Sequence, residues 1–160
     1  MRLALAFMAL LLVAVSSRAD TVYLDELVEM PQSALQNRFP GLKKQGCYRI
    51  AEDRYLSITM QRRGDLPLRV TVAMEPCRRP VDIAGIEVLH RSGANVGGTT
   101  VDVVTKLGQP HAAAAPDSSQ ERLGDTEYLY ICQISQGCNR HTSVFIREGI
   151  VTAISEWHSE

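Results

Sequence analysis

Aromatic residues are scarce in this sequence, at 6% of 160 residues, and there is a single tryptophan. The sequence contains no Gly-x-Ser-x-Gly elbow, no phosphate-binding glycine loop and no His-Glu-x-x-His pattern. Three common routes to hydrolytic and nucleotide chemistry are therefore unsupported. There is no Cys-x-x-Cys pair to run dithiol exchange or open a zinc site. No asparagine sits in a glycosylation sequon. An excess of charge is lacking too. With 17 basic residues against 18 acidic ones, the formal charge is −1, and nothing resembles the basic footprint of a nucleic-acid or anionic-membrane binder. The one long apolar run is at the start.

That run has the make-up of a cleavable signal peptide: Arg2, then Leu3 to Val15, then Ser17-Arg18-Ala19. It is short for a bilayer span. Cleavage is expected after Ala19, which makes residues 1–19 the signal. The first cysteine is Cys47, so none lies beside the cleavage site to carry a lipid. The expectation is a periplasmic or secreted protein with no stable membrane anchor. Without Arg2 and Arg18, 15 basic residues face 18 acidic ones. Four cysteines in an exported chain imply two disulfides. Three pairings are possible. If each pair staples one half of the chain, Cys47 joins Cys77 and Cys132 joins Cys138. A metal reading of Cys132-x5-Cys138-x2-His141 lacks a standard ligand spacing. No metal and no cofactor are expected.

The best-punctuated stretch is Gly98 to Pro110. Thr99 is placed to cap a helix, Asp102 stands three residues on, and Val103, Val104 and Leu107 share a face. Gly108 and Pro110 end the helix. Earlier, Asp25 to Phe39 reads as mostly helical, opened or kinked at Pro31 and closed by Pro40-Gly41. Tyr48–Ala51, Tyr55–Met60, Leu68–Met74 and Val81–His90 read as strands. Leu56, Ile58 and Met60 alternate with polar residues, as do Leu68, Val70, Val72 and Met74, a mark of antiparallel strands with one buried face. His111 to Gln120 lacks periodicity and reads as an exposed, mobile connection. Glu127–Gln133, Thr142–Arg147 and Ile150–Trp157 are the last strands, with Glu148-Gly149 as a tight turn.

Met30 to Pro40 aligns with Gly98 to Gly108, placing Leu35 on Val103 and Phe39 on Leu107. The expected fold is α+β: an antiparallel sheet with short helices on one face, built from tandem helix-plus-β-meander repeats over 20–90 and 91–160. The run Gly98-Thr99-Thr100-Val101-Asp102-Val103-Val104 to Leu107-Gly108-Gln109-Pro110 resembles the SmpA/OmlA pattern. So do Tyr128-Leu129-Tyr130 and Val144-Phe145-Ile146-Arg147-Glu148-Gly149-Ile150-Val151. The resemblance covers roughly the last sixty residues well and Asp25 to Met74 weakly. It implies the fold used in tandem by β-lactamase inhibitor proteins, whose concave sheet face grips another protein. The lipid-modified cysteine of the outer-membrane assembly members is absent.

Alternation places Leu129, Ile131, Val144 and Ile146 in the core. Tyr128, Tyr130, Phe145 and Arg147 are then left outward, with Trp157 near the strand end and Tyr55 and Arg69 on the corresponding side. Tyr, Trp, Phe and Arg are the types enriched where proteins grip one another. The expected function is an exported protein-binding module, inhibitor-like or accessory to envelope assembly, acting through Tyr55, Arg69, Tyr128, Tyr130, Phe145, Arg147 and Trp157. Its partner would be another protein. The alternative is a small-ligand or cell-wall binding protein with a pocket between the sheet and the 111–125 loop. A hydrolase ranks last: His90, His111, His141 and His158 are scattered, and Glu26 with Glu29 has no accompanying constellation. The chain is not expected to be an enzyme.

Overall fold

The computed structural model describes residues 19–132 and 139–159. The signal-peptide reading of 1–18 and the assignments to Gln133 and Cys138 lie outside the described residues. Among the described residues, no helix is long and apolar enough to cross a membrane.

The fold is α+β and dominated by strands. Its centre is an eight-stranded sheet in the order β5-β2-β3-β4-β10-β9-β8-β7. The strands are β2 (Gln45–Ala51), β3 (Arg54–Met60), β4 (Pro67–Ala73), β5 (Val81–Asp82), β7 (Ala112–Ala114), β8 (Thr126–Ile131), β9 (Arg140–Arg147) and β10 (Ile150–His158). All neighbours are antiparallel except β5, which runs parallel to β2. A separate parallel ribbon pairs β1 (Asp20–Tyr23) with β6 (Ile86–Leu89). The expected single strand Val81–His90 is thus two strands in two sheets. Gly85, at φ 78, makes the break, a conformation glycine adopts without steric cost.

The helices form where the punctuation puts them. Pro31 caps α2 (Gln32–Arg38) and separates it from α1 (Leu24–Val28), since its ring and missing N–H prevent one continuous helix. In α3 (Thr100–Leu107), the Thr99 hydroxyl accepts from Asp102 N–H at 3.2 Å, and Thr99 N–H donates to Asp102 Oδ2 at 3.0 Å. That reciprocal box satisfies two orphan donors. It also holds the Asp102 carboxyl below the usual carboxylate range, chiefly through the Thr99 N–H. Gly108, at φ 83, closes the helix. At its start, Thr100 N–H donates to Gly149 O, and Val151 N–H donates to Gly98 O. The Glu148-Gly149 hairpin has positive φ at both positions, 52 and 78, which matches the twist of the flanking strands.

Register assigns the faces. Tyr48, Leu56, Val72, Ile154, Val144 and Tyr128 lie side by side across six strands. This is the face that meets Leu24, Leu27, Val28, Leu35, Phe39 and Val103 in one apolar core. The face opposite carries the row Cys47, Ser57, Thr71, Ser155, Ser143 and Leu129. Cys47 and Cys77 form a disulfide closing 30 residues, worth about 3.5 kcal/mol by loop closure. Cys132 is disulfide-bonded as well.

Two expectations of side-chain direction fail. Tyr130 is only 8% exposed and belongs to the helix-side core, and Tyr128 packs against it. Ile131, expected inside, is 38% exposed. The phase of β8 is set by β9. Val144 and Ile146 must face the helices, and their partners Tyr128 and Thr126 follow. Tyrosine suits this place because its hydroxyl reaches out, donating to Gly108 O at 3.2 Å. Phe145 does face away from the helices, yet it is wholly buried, packed with Leu123, Ala73 and Ala153.

Candidate functional site

The face opposite the helices is not open, because two segments of the chain cross it. The first is 74–80, tied to β2 by the Cys47–Cys77 disulfide. The second is 116–125, whose first half belongs to the stretch His111 to Gln120 expected to be an exposed, mobile connection. In it, the Asp117 carboxylate accepts from Ser119 N–H at 2.8 Å, a bond that holds the Asp117 carboxyl below its usual range. A 3-10 turn follows at Glu121–Leu123. Leu123 drops into the cluster with Phe145, and Asp125 N–H donates to Ile146 O at 2.9 Å. Gly124 is required by space. A Cβ there would stand 2.8 Å from Ile146 N and 3.0 Å from Ile146 O.

Arg147 fastens the two straps together. Its guanidinium donates to Arg122 O at 3.2 Å and pairs with Asp125 at 3.4 Å and Glu75 at 3.5 Å. Arg122 adds a bond of 3.4 Å to Pro76 O. Expected to reach for a partner, Arg147 is instead occupied by its own chain.

Between straps and sheet runs a groove. One compartment, of about 570 Å³, lies against Thr71, Arg69 and Trp157, under Ser119, Gln120 and Leu123. The other, of about 560 Å³, lies beside Gly46 and the disulfide, with Arg78, Arg79 and Val81. Gln45, Ser57, Thr59 and Arg122 line both, so the two adjoin. Cavities of this size suit small ligands.

Trp157 is the fixed point of the first compartment. Its Nε1–H donates to Ser143 Oγ at 2.9 Å, and its ring packs on His141 with centroids 4.4 Å apart. The guanidinium carbon of Arg69 lies 5.2 Å from the same ring's centroid, a cation–π geometry. Among the described residues the Arg69 guanidinium donates no hydrogen bond. Burial pushes its pKa down, against the pull of Glu127 and Asp117. Burial also lowers the His141 pKa, opposed by Glu156 and assisted by His158. Both shifts arise because a partly buried site solvates charge poorly. Below Trp157 the Thr71 and Ser155 hydroxyls bond to each other at 2.9 Å.

Arg69 and Trp157 are therefore brought together on one face. Tyr55 stands on that face at another level, opposite Ala73 and Arg49, and outside the groove lining. Tyr128 and Tyr130 lie on the opposite face, beneath α3. Arg78, Arg79, Arg122 and His141 were not foreseen as site residues. The available signal was the pair Arg78-Arg79 directly after Cys77, which a disulfide to Cys47 would carry onto the sheet.

The remaining histidines serve structure. Glu156 is buried on the helix side. Its Oε1 is 2.9 Å from His90 Nε2 and 2.5 Å from the Thr142 hydroxyl. Arg140 Nε is 3.0 Å from Oε2, close enough for an ion pair but not aligned as a hydrogen bond. His158 Nε2 lies 3.3 Å from Val28 O, and His111 Nδ1 accepts from Ile131 N–H at 3.1 Å. Among the described residues no group of three His, Cys, Asp or Glu side chains could hold a metal ion.

No protein-family model, no curated protein and no solved structure matches this chain.

Proposed function

We propose that this is an exported binding protein, not an enzyme, and that it takes its ligand into the strapped groove on the sheet face opposite the helices. The observation that carries this is the pairing of Arg69 with Trp157 inside that groove. A cation free of hydrogen bonds beside a partly exposed indole is an incomplete coordination sphere that a ligand can complete. The disulfide fits an oxidising compartment. This is the pocket-under-the-loop reading. It gains over the protein-gripping one because Tyr130 and Phe145 are buried and Arg147 is engaged.

The protein-gripping reading keeps one support, the order of the elements. Helix α2 precedes the meander β2-β3-β4, α3 precedes β8-β9-β10, and the two meanders join through their last strands, β4 and β10. Pro31 and Thr99 stand at the N-caps of these two helices, and Leu35 and Val103 are their buried residues. That arrangement suits the SmpA/OmlA-like resemblance and its inhibitor relatives.

The test is calorimetric and spectroscopic screening of small molecules and soluble cell-wall fragments against the wild type and Arg69→Gln. A ligand that perturbs Trp157 emission and is lost in Arg69→Gln supports the groove. Ligands that bind both proteins equally, without touching Trp157, overturn it. Stoichiometric capture of a protein whose binding survives Arg69→Gln favours the second reading.

A further inference from the structure

We infer that the ligand of this groove is an acidic oligosaccharide, laid across β10, β4, β3 and β2 with its anionic groups held at both ends. The inference rests on the groove reading above and adds the chemistry of the ligand.

The first support is charge. The chain as a whole is slightly acidic, at −1. Yet the residues lining the groove include Arg69, Arg78, Arg79 and Arg122 and no Asp or Glu, although Asp117 and Glu127 act on Arg69 from outside the lining. Proteins intersperse both signs over ordinary surface, and a concave single-sign lining focuses the field on the opposite charge. Among the described residues Arg78 and Arg79 make no ion pair or hydrogen bond. Their donors are free for carboxylate, sulfate or phosphate oxygens.

The second support is length. Arg69 and Trp157 belong to β4 and β10, whereas Arg78 and Arg79 sit beyond β2, on the disulfide-bound strap. Three strand spacings separate β10 from β2, about 14 Å. A lone inorganic anion meets one end only. A short chain with acidic groups along it meets both.

The third support is what lies between. Gln45, Ser57 and Thr59 line both compartments, and among the described residues their side chains make no hydrogen bond. Hydroxyl and amide groups left unpaired over a concave floor match the hydroxyls of sugar rings. The Trp157 ring offers an apolar face beside them. A peptide fits less well. Strands β3, β4 and β10 are paired on both sides, so the floor offers no edge for strand addition.

Trp157 is the only tryptophan, so its emission reports on the groove without a label. The full chain is titrated with tetragalacturonate, with neutral maltotetraose and with inorganic phosphate, by fluorescence and by calorimetry. Tetragalacturonate is expected to shift the emission and to bind at least about tenfold more tightly than the other two, less so as salt rises. Arg78→Gln with Arg79→Gln, two exposed positions, is expected to weaken it about tenfold at unchanged melting temperature. Equal binding of maltotetraose would overturn the acidic class while leaving the groove as the site. Equal binding of phosphate would overturn the extended ligand. Calorimetric binding with silent Trp157 emission and no effect of the arginine changes would overturn both the ligand and the groove. No response to any of the three probes would overturn the acidic oligosaccharide.

Discussion

Arg69 and Trp157 are direct cross-strand partners on β4 and β10, with the guanidinium carbon 5.2 Å from the indole centroid. They join the two halves of the sheet at its central seam. Replacing Arg69 by Gln removes the cation but keeps length and polarity. Little loss of stability is expected, about 1 kcal/mol, because a half-exposed cation–π pair is worth that much. The Trp157 emission should change even without ligand. An unchanged spectrum would mean that the two side chains do not meet in solution.

Tyr130→Ala is expected to cost about 3–4 kcal/mol, as for other large aromatic truncations in a core. Tyr130→Phe, which deletes only the bond to Gly108 O, is expected to cost about 1 kcal/mol. Leu129→Ala, on the other face, should cost less than Tyr130→Ala. Thermal melts of the three variants decide the matter. The opposite ranking would restore the outward placement of the tyrosines that alternation within β8 implies.

Gly124→Ala should disturb the second strap selectively. The new methyl meets the backbone of Ile146 at 2.8 Å, which cannot yield as a flexible side chain would. A loss of about 1–3 kcal/mol is expected, with faster amide exchange confined to 117–125. Uniformly unchanged exchange would show that this segment does not lie against β9.

His141 gives the pH dependence a sign. Its folded pKa is lowered, so the unfolded chain takes up its proton first and the native state gains less from protonation. The contribution of neutral His141 is therefore fully present above the unfolded pKa, about 6.5. It is lost as pH falls through and below that value. Melting temperature should drop between about pH 7 and 5, and His141→Gln should flatten that limb. Asp102 titrates in a separate, more acidic window, where its own lowered pKa makes the α3 cap fail as pH falls.

Much of the fold was legible because it rests on local rules. The α3 cap needs Thr99, Asp102 and Gly108 at fixed offsets. The break at Pro31 needs only proline's geometry. The faces of β3 and β4 follow from strict alternation. The two tyrosines of β8 were misread because their face is set by pairing with β9, a non-local fact, while scoring by apolarity favoured Leu129 and Ile131. The 116–125 strap was misread for a related reason. Its anchors are one leucine, one glycine fitted against Ile146, and an arginine 25 positions beyond Arg122 on a neighbouring strand, and none carries a periodic signal. Three of the groove's four cations escaped notice, because only the disulfide brings Arg78 and Arg79 to it and only the fold of the second strap brings Arg122.

The outermost strands of the large sheet, β5 and β7, are two and three residues long. Long inner strands are thus flanked by stubs, one of them composed only of alanine, with little unsatisfied backbone in register to recruit a second copy. Stubs at both rims offer a second copy only a short register to pair with, and lengthening β7 by design is expected to promote edge-to-edge association, which light scattering would read.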